Sequence, residues 1–383
     1  MAKQKGGADF QLIERIFNQL SSSVSIALVK EDKLSYEFYG GRKAALTENN
    51  GDQNIFSVDA KAAGGKSAKA GRGFMGFGVG KGAAAKDADK RDDSSVNRTT
   101  RFMIGSASEL FTGALIVKLM EFGEVSLGDG VRKFIPEFPF DDTTVYHLLT
   151  HTSGLNSDHI APPENYAASR DFYRRLYEKI RRDCDSGVKS DHFKYGYSVL
   201  ADITCRVSGQ TLEELASVLI FMPLGMKYTT YNGSSLRDNQ YVTPWNHKEN
   251  RFMNELHAKP PTGQNGVYTT SLDLIRFGKL LISGGEFEGK SILLESSVDF
   301  LLREVTGGKF MRTPLFMIKR QVDIFGCFSE KMSADSVALT GDTGNIIFVD
   351  PLRKVVGAAL TNSTWVHSIS RNYSNIIDIL MSI

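Results

Sequence analysis

The distribution of apolar runs along this chain limits its fold more than any other feature. Strand-like runs sit near both ends, and helical spacing fills the middle. Residues 24–29 (Val-Ser-Ile-Ala-Leu-Val) read as a strand, Glu31-Asp32-Lys33 as a turn, and residues 34–39 alternate as a second strand. Residues 336–339, 346–349 and 355–360 are three further β-rich runs. Between these groups lie helical patterns over residues 106–122, 197–207, 212–221 and 271–282, with Gly284-Gly285 stopping the last. Two more are expected outside them, over residues 10–20 and about 368–381. This order predicts one antiparallel sheet assembled from both ends of the chain, with a mostly helical region inserted between its halves.

At roughly 100–200 residues per domain, 383 residues would fit two domains in series. The interleaved pattern instead favours one domain over residues 1–383, with a helical subdomain at approximately residues 140–260. One stretch departs in composition. Residues 60–93 hold eight glycines, nine alanines, eight Lys/Arg and four Asp, a local charge of +4. Such a segment buries too little apolar side chain to offset its ordering entropy, so a flexible insertion is expected. Within it, Gly71-Arg72-Gly73-Phe74-Met75-Gly76 matches GxGxxG. It lacks the preceding strand and following helix that a dinucleotide site needs.

The remaining exclusions are short. A net charge of +2 gives no global field favouring nucleic acid. No apolar run is long enough for a membrane span, and no apolar segment follows the N-terminal Met1–Gly7 stretch as in a secretory signal. Three scattered cysteines, Cys184, Cys205 and Cys327, form neither a disulfide framework nor a CxxC zinc motif. An intracellular, cytoplasmic location is therefore expected. His147 and His151 stand four apart without an HExxH context, so a structural role is expected for them, with no metal and no other cofactor.

Several strings taken together resemble the serine β-lactamase and penicillin-binding-protein superfamily, in its class C/esterase-like branch. They include the Phe102-Met103-Ile104-Gly105-Ser106-Ala107-Ser108-Glu109-Leu110-Phe111-Thr112 segment. His147-Leu148-Leu149-Thr150-His151-Thr152-Ser153-Gly154-Leu155 is another, and Pro223-Leu224-Gly225-Met226 and Phe348-Val349-Asp350-Pro351 also fit. The resemblance covers roughly residues 24–382 apart from the Gly/Ala/Lys segment. It implies a β-lactamase/transpeptidase-like fold of α/β (α+β) type and acyl transfer through a serine. In that family a serine opens a helix and a lysine one turn on helps remove its proton. A tyrosine in a YxN motif shares the proton work, and a K/H-T/S-G strand lines the site. Backbone N–H groups at the serine and on that strand hold the oxyanion.

This chain departs at each motif. Ser106 has Glu109, not lysine, three positions on, and Lys118 is too far along the helix to substitute. Without a gap, the YxN position falls on His192 with Lys194 at the asparagine. With a gap, Tyr195 becomes the tyrosine. The third motif fits Thr340 and Gly341, but Leu339 stands at the basic position. Two readings follow. In one, Ser106, His192 and Glu109 supply the residue types of a Ser–His–acid triad, and the chain is a serine hydrolase or acyltransferase on small esters or amides. In the other the site is degenerate, and the chain binds a ligand, a protein partner or further copies of itself. Ser106-x-x-Glu109 is then a helix capping box. The missing basic groups argue against true β-lactamase activity under either reading.

Overall fold

In a computed structural model of the chain, the residues described are 23–41, 43, 95–161, 165, 166, 168–190, 195–254, 256, 259–308, 312–319, 326–364 and 372–382. The expected helix over residues 10–20 and the segment 60–93 lie outside them.

The main strands are β1 (Ser23–Lys30), β2 (Lys33–Gly41), β3 (Arg101–Met103), β4 (Tyr241–Val242) and β5 (Tyr268–Thr269). They continue as β6 (Met317–Ile318), β7 (Val337–Gly341), β8 (Asn345–Asp350) and β9 (Val355–Thr361). The helices used below are α1 (Glu109–Glu121), α2 (Gly196–Ser208), α3 (Ser271–Ile282) and α4 (Asn372–Ser382). Six strands form one sheet in the order β6-β7-β8-β9-β1-β2, with every neighbouring pair antiparallel. The first hairpin thus docks on the last strand, with Ala27 opposite Ala358, and the sheet is closed from both ends of the sequence as expected.

Alternation along the strands explains the layers. Successive side chains of a strand face opposite sides of a sheet. Ala27, Val29, Val337, Leu339, Ile347, Val349, Val356, Ala358 and Leu360 join the large core that contains α1, α2 and α3. Their neighbours Val24, Ile26, Leu28, Ala338, Ile346, Phe348, Val355 and Ala359 pack with Tyr373, Ile376, Ile377 and Leu380 of α4. Both faces of the sheet are therefore covered, which is why its central strands read as near-continuous apolar runs. α3 lies close on its face because Gly278 has no side chain; a Cβ there would sit 2.2 Å from Val356.

Two helical stretches differ from the sequence expectation. The helix expected over residues 212–221 is α-helical only for Leu212–Ala216 and widens over Ser217–Phe221, where Met222 N–H donates to the Ser217 carbonyl at 2.9 Å. The helix expected from residue 106 opens with a tighter turn, Gly105–Ser108, before α1. A second sheet of three short strands, β4-β3-β5, carries that opening turn.

The β8–β9 corner holds a buried charge. The Asp350 carboxylate accepts from Ser333 N–H at 2.8 Å, Ser333 Oγ at 2.6 Å and Arg353 N–H at 3.1 Å. Burial pushes this carboxyl up, but the bonds from Ser333, Arg353 and Ser336 outweigh it and hold the group below its ordinary value. A depressed folded pKa means that the stabilisation is complete above the unfolded pKa of about 4 and is lost as pH falls through the folded value. Asp350→Ala is expected to lower the unfolding free energy at neutral pH by about 2–3 kcal/mol. The gap between variant and wild type should narrow in acid, as read from urea-unfolding midpoints across the pH range.

Candidate active site

The turn carrying Ser106 is held from two sides. Behind it, β3 pairs with β4 and β5, Ile104 N–H donates to the Val267 carbonyl at 3.0 Å, and Ser108 Oγ accepts from Val267 N–H at 3.1 Å. In front, the β7–β8 hairpin clasps the same turn. Thr343 Oγ1 and Asn345 Nδ2 both donate to the Met103 carbonyl, at 2.8 and 3.0 Å. Asn345 Oδ1 in turn accepts from Thr361 N–H at 2.9 Å, which ties the clasp to β9. The hairpin loop, residues 342–344, ends in Gly344 with a left-handed φ of 86°, as three-residue hairpin loops commonly do.

Thr340 and Gly341 close β7 beside this turn. Gly341 is required there, since a Cβ would lie 2.1 Å from the Ile104 carbonyl oxygen. Leu339 is buried and belongs to the core. Thr340 is half-buried. The first loop residue, Asp342, reaches back: its Oδ1 accepts from Ser106 N–H at 3.1 Å. Gly105 makes room with a φ of +55°, and a Cβ on it would meet Asp342 Oδ1 at 1.7 Å.

Ser106 does not cap the helix as a Ser-x-x-Glu box would. The N-cap position of α1 is Ser108, without a side-chain capping bond, and Ser106 N–H is taken by Asp342. Among the described residues, Ser106 Oγ enters no hydrogen bond. Glu109 turns instead into the interior, where it is 4% exposed. Its Oε2 lies 3.6 Å from His151 Nε2. His151 is buried, holds a left-handed φ of 53°, and stacks on the Tyr197 ring at 5.2 Å between centroids. Tyr197 Oη donates to the Leu149 carbonyl at 3.1 Å and to the Pro314 carbonyl. Burial pushes the Tyr197 phenol far up, with the Glu109 charge adding to the rise and Arg312 opposing it. Burial pulls Arg312 down, while Tyr197 and Glu109 act to keep it charged. Four residues from separate parts of the chain thus share one buried charge balance beneath Ser106.

The other sequence candidates are placed as follows. Tyr195 is buried at the residue before α2, its ring edge-on to Phe172 at 5.1 Å. His192 and Lys194 lie outside the described residues. Lys118 is committed elsewhere, to Glu121 at 2.6 Å and the Ile292 carbonyl at 2.9 Å. His147 forms a reciprocal cap with Thr144 at the start of the Val145–Leu149 helix, a structural role like the one expected of it. Sequence reasoning missed Asp342 and Arg312, and gave His151 no partner. The only sequence signal for Asp342 was its place directly after Gly341, and for Arg312 there was none.

The chain matches the Beta-lactamase family over residues 15–373, most of its length, and belongs to that family. Among related sequences, PbpX of Bacillus subtilis (strain 168), which carries a penicillin-binding-protein name, is 31% identical over 216 residues, covering 53% of this chain and 52% of PbpX. A beta-lactamase of Escherichia coli (strain K12) is 24% identical over 193 residues, covering 50% of each. The chain therefore spans about half the length of the curated relatives it matches. Two solved structures share the fold. The octameric penicillin-binding protein homologue from Pyrococcus abyssi has a TM-score of 0.66 at 21% identity, over 98% of this chain and 76% of that one. EstCE1, a hydrolase with promiscuous acyltransferase activity, has a TM-score of 0.70 at 15% identity, over 98% of this chain and 100% of that one. Among the described residues no helix is long and apolar enough to cross a membrane.

The contact between Gly105 and Asp342 makes a specific prediction. Gly105→Ala should destabilise the fold by about 2 kcal/mol, part from the left-handed φ and part from the clash with the carboxylate. In an Asp342→Ala background the clash disappears and only the conformational cost remains, so the penalty should shrink by about 1 kcal/mol. Urea unfolding of the four proteins in this cycle measures the coupling directly.

Proposed function

We propose that this Beta-lactamase-family chain is impaired in acyl transfer at Ser106 and binds a small ester- or amide-bearing ligand beside the Ser106 turn. The observation that carries this reading is the inward turn of Glu109 onto His151. A serine hydroxyl is a weak nucleophile until a neighbouring group takes its proton. One turn along from Ser106 stands a carboxylate engaged with the interior, where the resemblance leads one to expect a base. Leu339 adds no positive charge on the β7 side. Oligomeric assembly is a further role in keeping with the reading, since a structural neighbour of this chain is described as octameric.

A second reading keeps Ser106 as the nucleophile of a hydrolase or acyltransferase, with Glu109 and His192 as its proton-handling pair. It is favoured by the likeness of fold to EstCE1, whose description names both activities.

The two readings part on one experiment. A fluorophosphonate probe and a p-nitrophenyl ester are offered to wild type and Ser106→Ala over roughly pH 6–9, where a histidine base would act. Under the impaired reading both proteins stay unlabelled and hydrolyse the ester at the same background rate. Labelling of wild type that is lost in both Ser106→Ala and His192→Ala would overturn it in favour of the hydrolase.

A further inference from the structure

We propose that the Asp342 carboxylate is a built-in occupant of the position where an oxyanion would bind at Ser106, and that removing it opens the site to tetrahedral oxyanion-bearing ligands. The proposal rests on the reading of Ser106 as an impaired nucleophile and adds a second, separate block to the site.

The argument begins with the geometry of any addition to a serine oxygen. As the hydroxyl oxygen attacks a carbonyl, an electron pair moves onto the carbonyl oxygen. That charge needs fixed donors 2.7–3.1 Å away. The nucleophile's own backbone N–H is a donor rigidly placed with respect to its side chain. Here that N–H already donates to Asp342 Oδ1 at 3.1 Å. A carboxylate oxygen therefore stands where the oxyanion would, and its negative charge opposes the arrival of another.

This contact is built into the backbone on both sides. Gly105 lacks the side-chain atom that would collide with Oδ1, and it adopts the left-handed conformation that glycine tolerates best. Gly341 lets β7 approach the Ile104 carbonyl, and the two bonds onto the Met103 carbonyl lock the hairpin loop in place. From the opposite face of the sheet, Tyr373 Oη reaches the Gly341 carbonyl at 3.5 Å. The backbone on either side of Asp342 is thus fixed, and its solvent-exposed carboxylate is held at the site by the bond from Ser106 N–H.

Phenylboronic acid tests the proposal without requiring turnover. The Ser106 hydroxyl oxygen adds to trigonal boron and forms a B–O bond, its proton leaves to solvent, and boron becomes a tetrahedral anion. One boron oxygen then needs the Ser106 N–H. Binding is measured by titration calorimetry and by the boron NMR shift for wild type, Asp342→Ala, Asp342→Ser and Ser106→Ala/Asp342→Ala, each first checked for a folded melting transition. The two single variants are expected to bind about 100–1,000-fold more tightly than wild type, the range one such donor commands. The double variant should show no tetrahedral boron signal. Equal affinity in wild type and the single variants, whether tight or absent, overturns the proposal. Ester turnover, measured in parallel, reports separately on whether Ser106 is impaired in wild type.

Discussion

A carboxylate in the protein interior has to be balanced, and at Glu109 that requirement organises the ground beneath Ser106. Removing a charge from water costs several kcal/mol unless partners compensate. The partners come from distant parts of the sequence: His151 from the loop after the Val145–Leu149 helix, Tyr197 from α2, and Arg312 from the segment before β6. Each is held by its own backbone setting. His151 reaches the carboxylate through a left-handed φ, and Tyr197 is anchored by two carbonyls. Within the His147–Leu155 segment, it is His151 that meets Glu109. The acid one turn beyond the serine is here a buried structural element.

The second organising contact is the β7–β8 hairpin on the Ser106 turn. It joins the large sheet to the small one through the Met103 carbonyl and brings Asp342 to the Ser106 N–H. Both contacts act on the same few residues, one from below the helix start and one from the strand side. Each places a carboxyl group close to the Ser106 turn. Ser106, Gly105 and the Thr340-Gly341 strand end lie together in this arrangement, with the Asp342 carboxylate on the Ser106 N–H.

The large elements were legible in the sequence for simple reasons. β7, β8 and β9 are apolar, β-rich runs broken by turn residues, and α3 is bounded by Thr270, which accepts from Asp273 N–H, and by Gly284. The joining of both chain ends into one sheet followed from where those runs lie. Strands β4 and β5 were not legible, because two-residue strands are fixed by pairing with β3 rather than by their own pattern. In the site, Ser106, Glu109, Thr340 and Gly341 could be named from local strings. Their partners could not. Asp342 is 236 residues from Ser106 in sequence, and nothing in the composition around His151 marks it as facing Glu109 or around Arg312 as bearing on its charge. The capping box at Ser106 and Glu109 was a sound local inference that tertiary contacts overrode, since Asp342 takes the N–H and the interior takes the carboxylate.

The central claim is that Glu109 is held as a structural acid in place of a base, and replacing it with the base tests this most directly. The unfolding free energy and Ser106-dependent ester hydrolysis of Glu109→Lys are measured together. The account predicts a loss of about 3 kcal/mol or more, as for other broken buried charge pairs, with no gain in hydrolysis. A Glu109→Lys protein as stable as wild type that hydrolyses esters through Ser106 would contradict it.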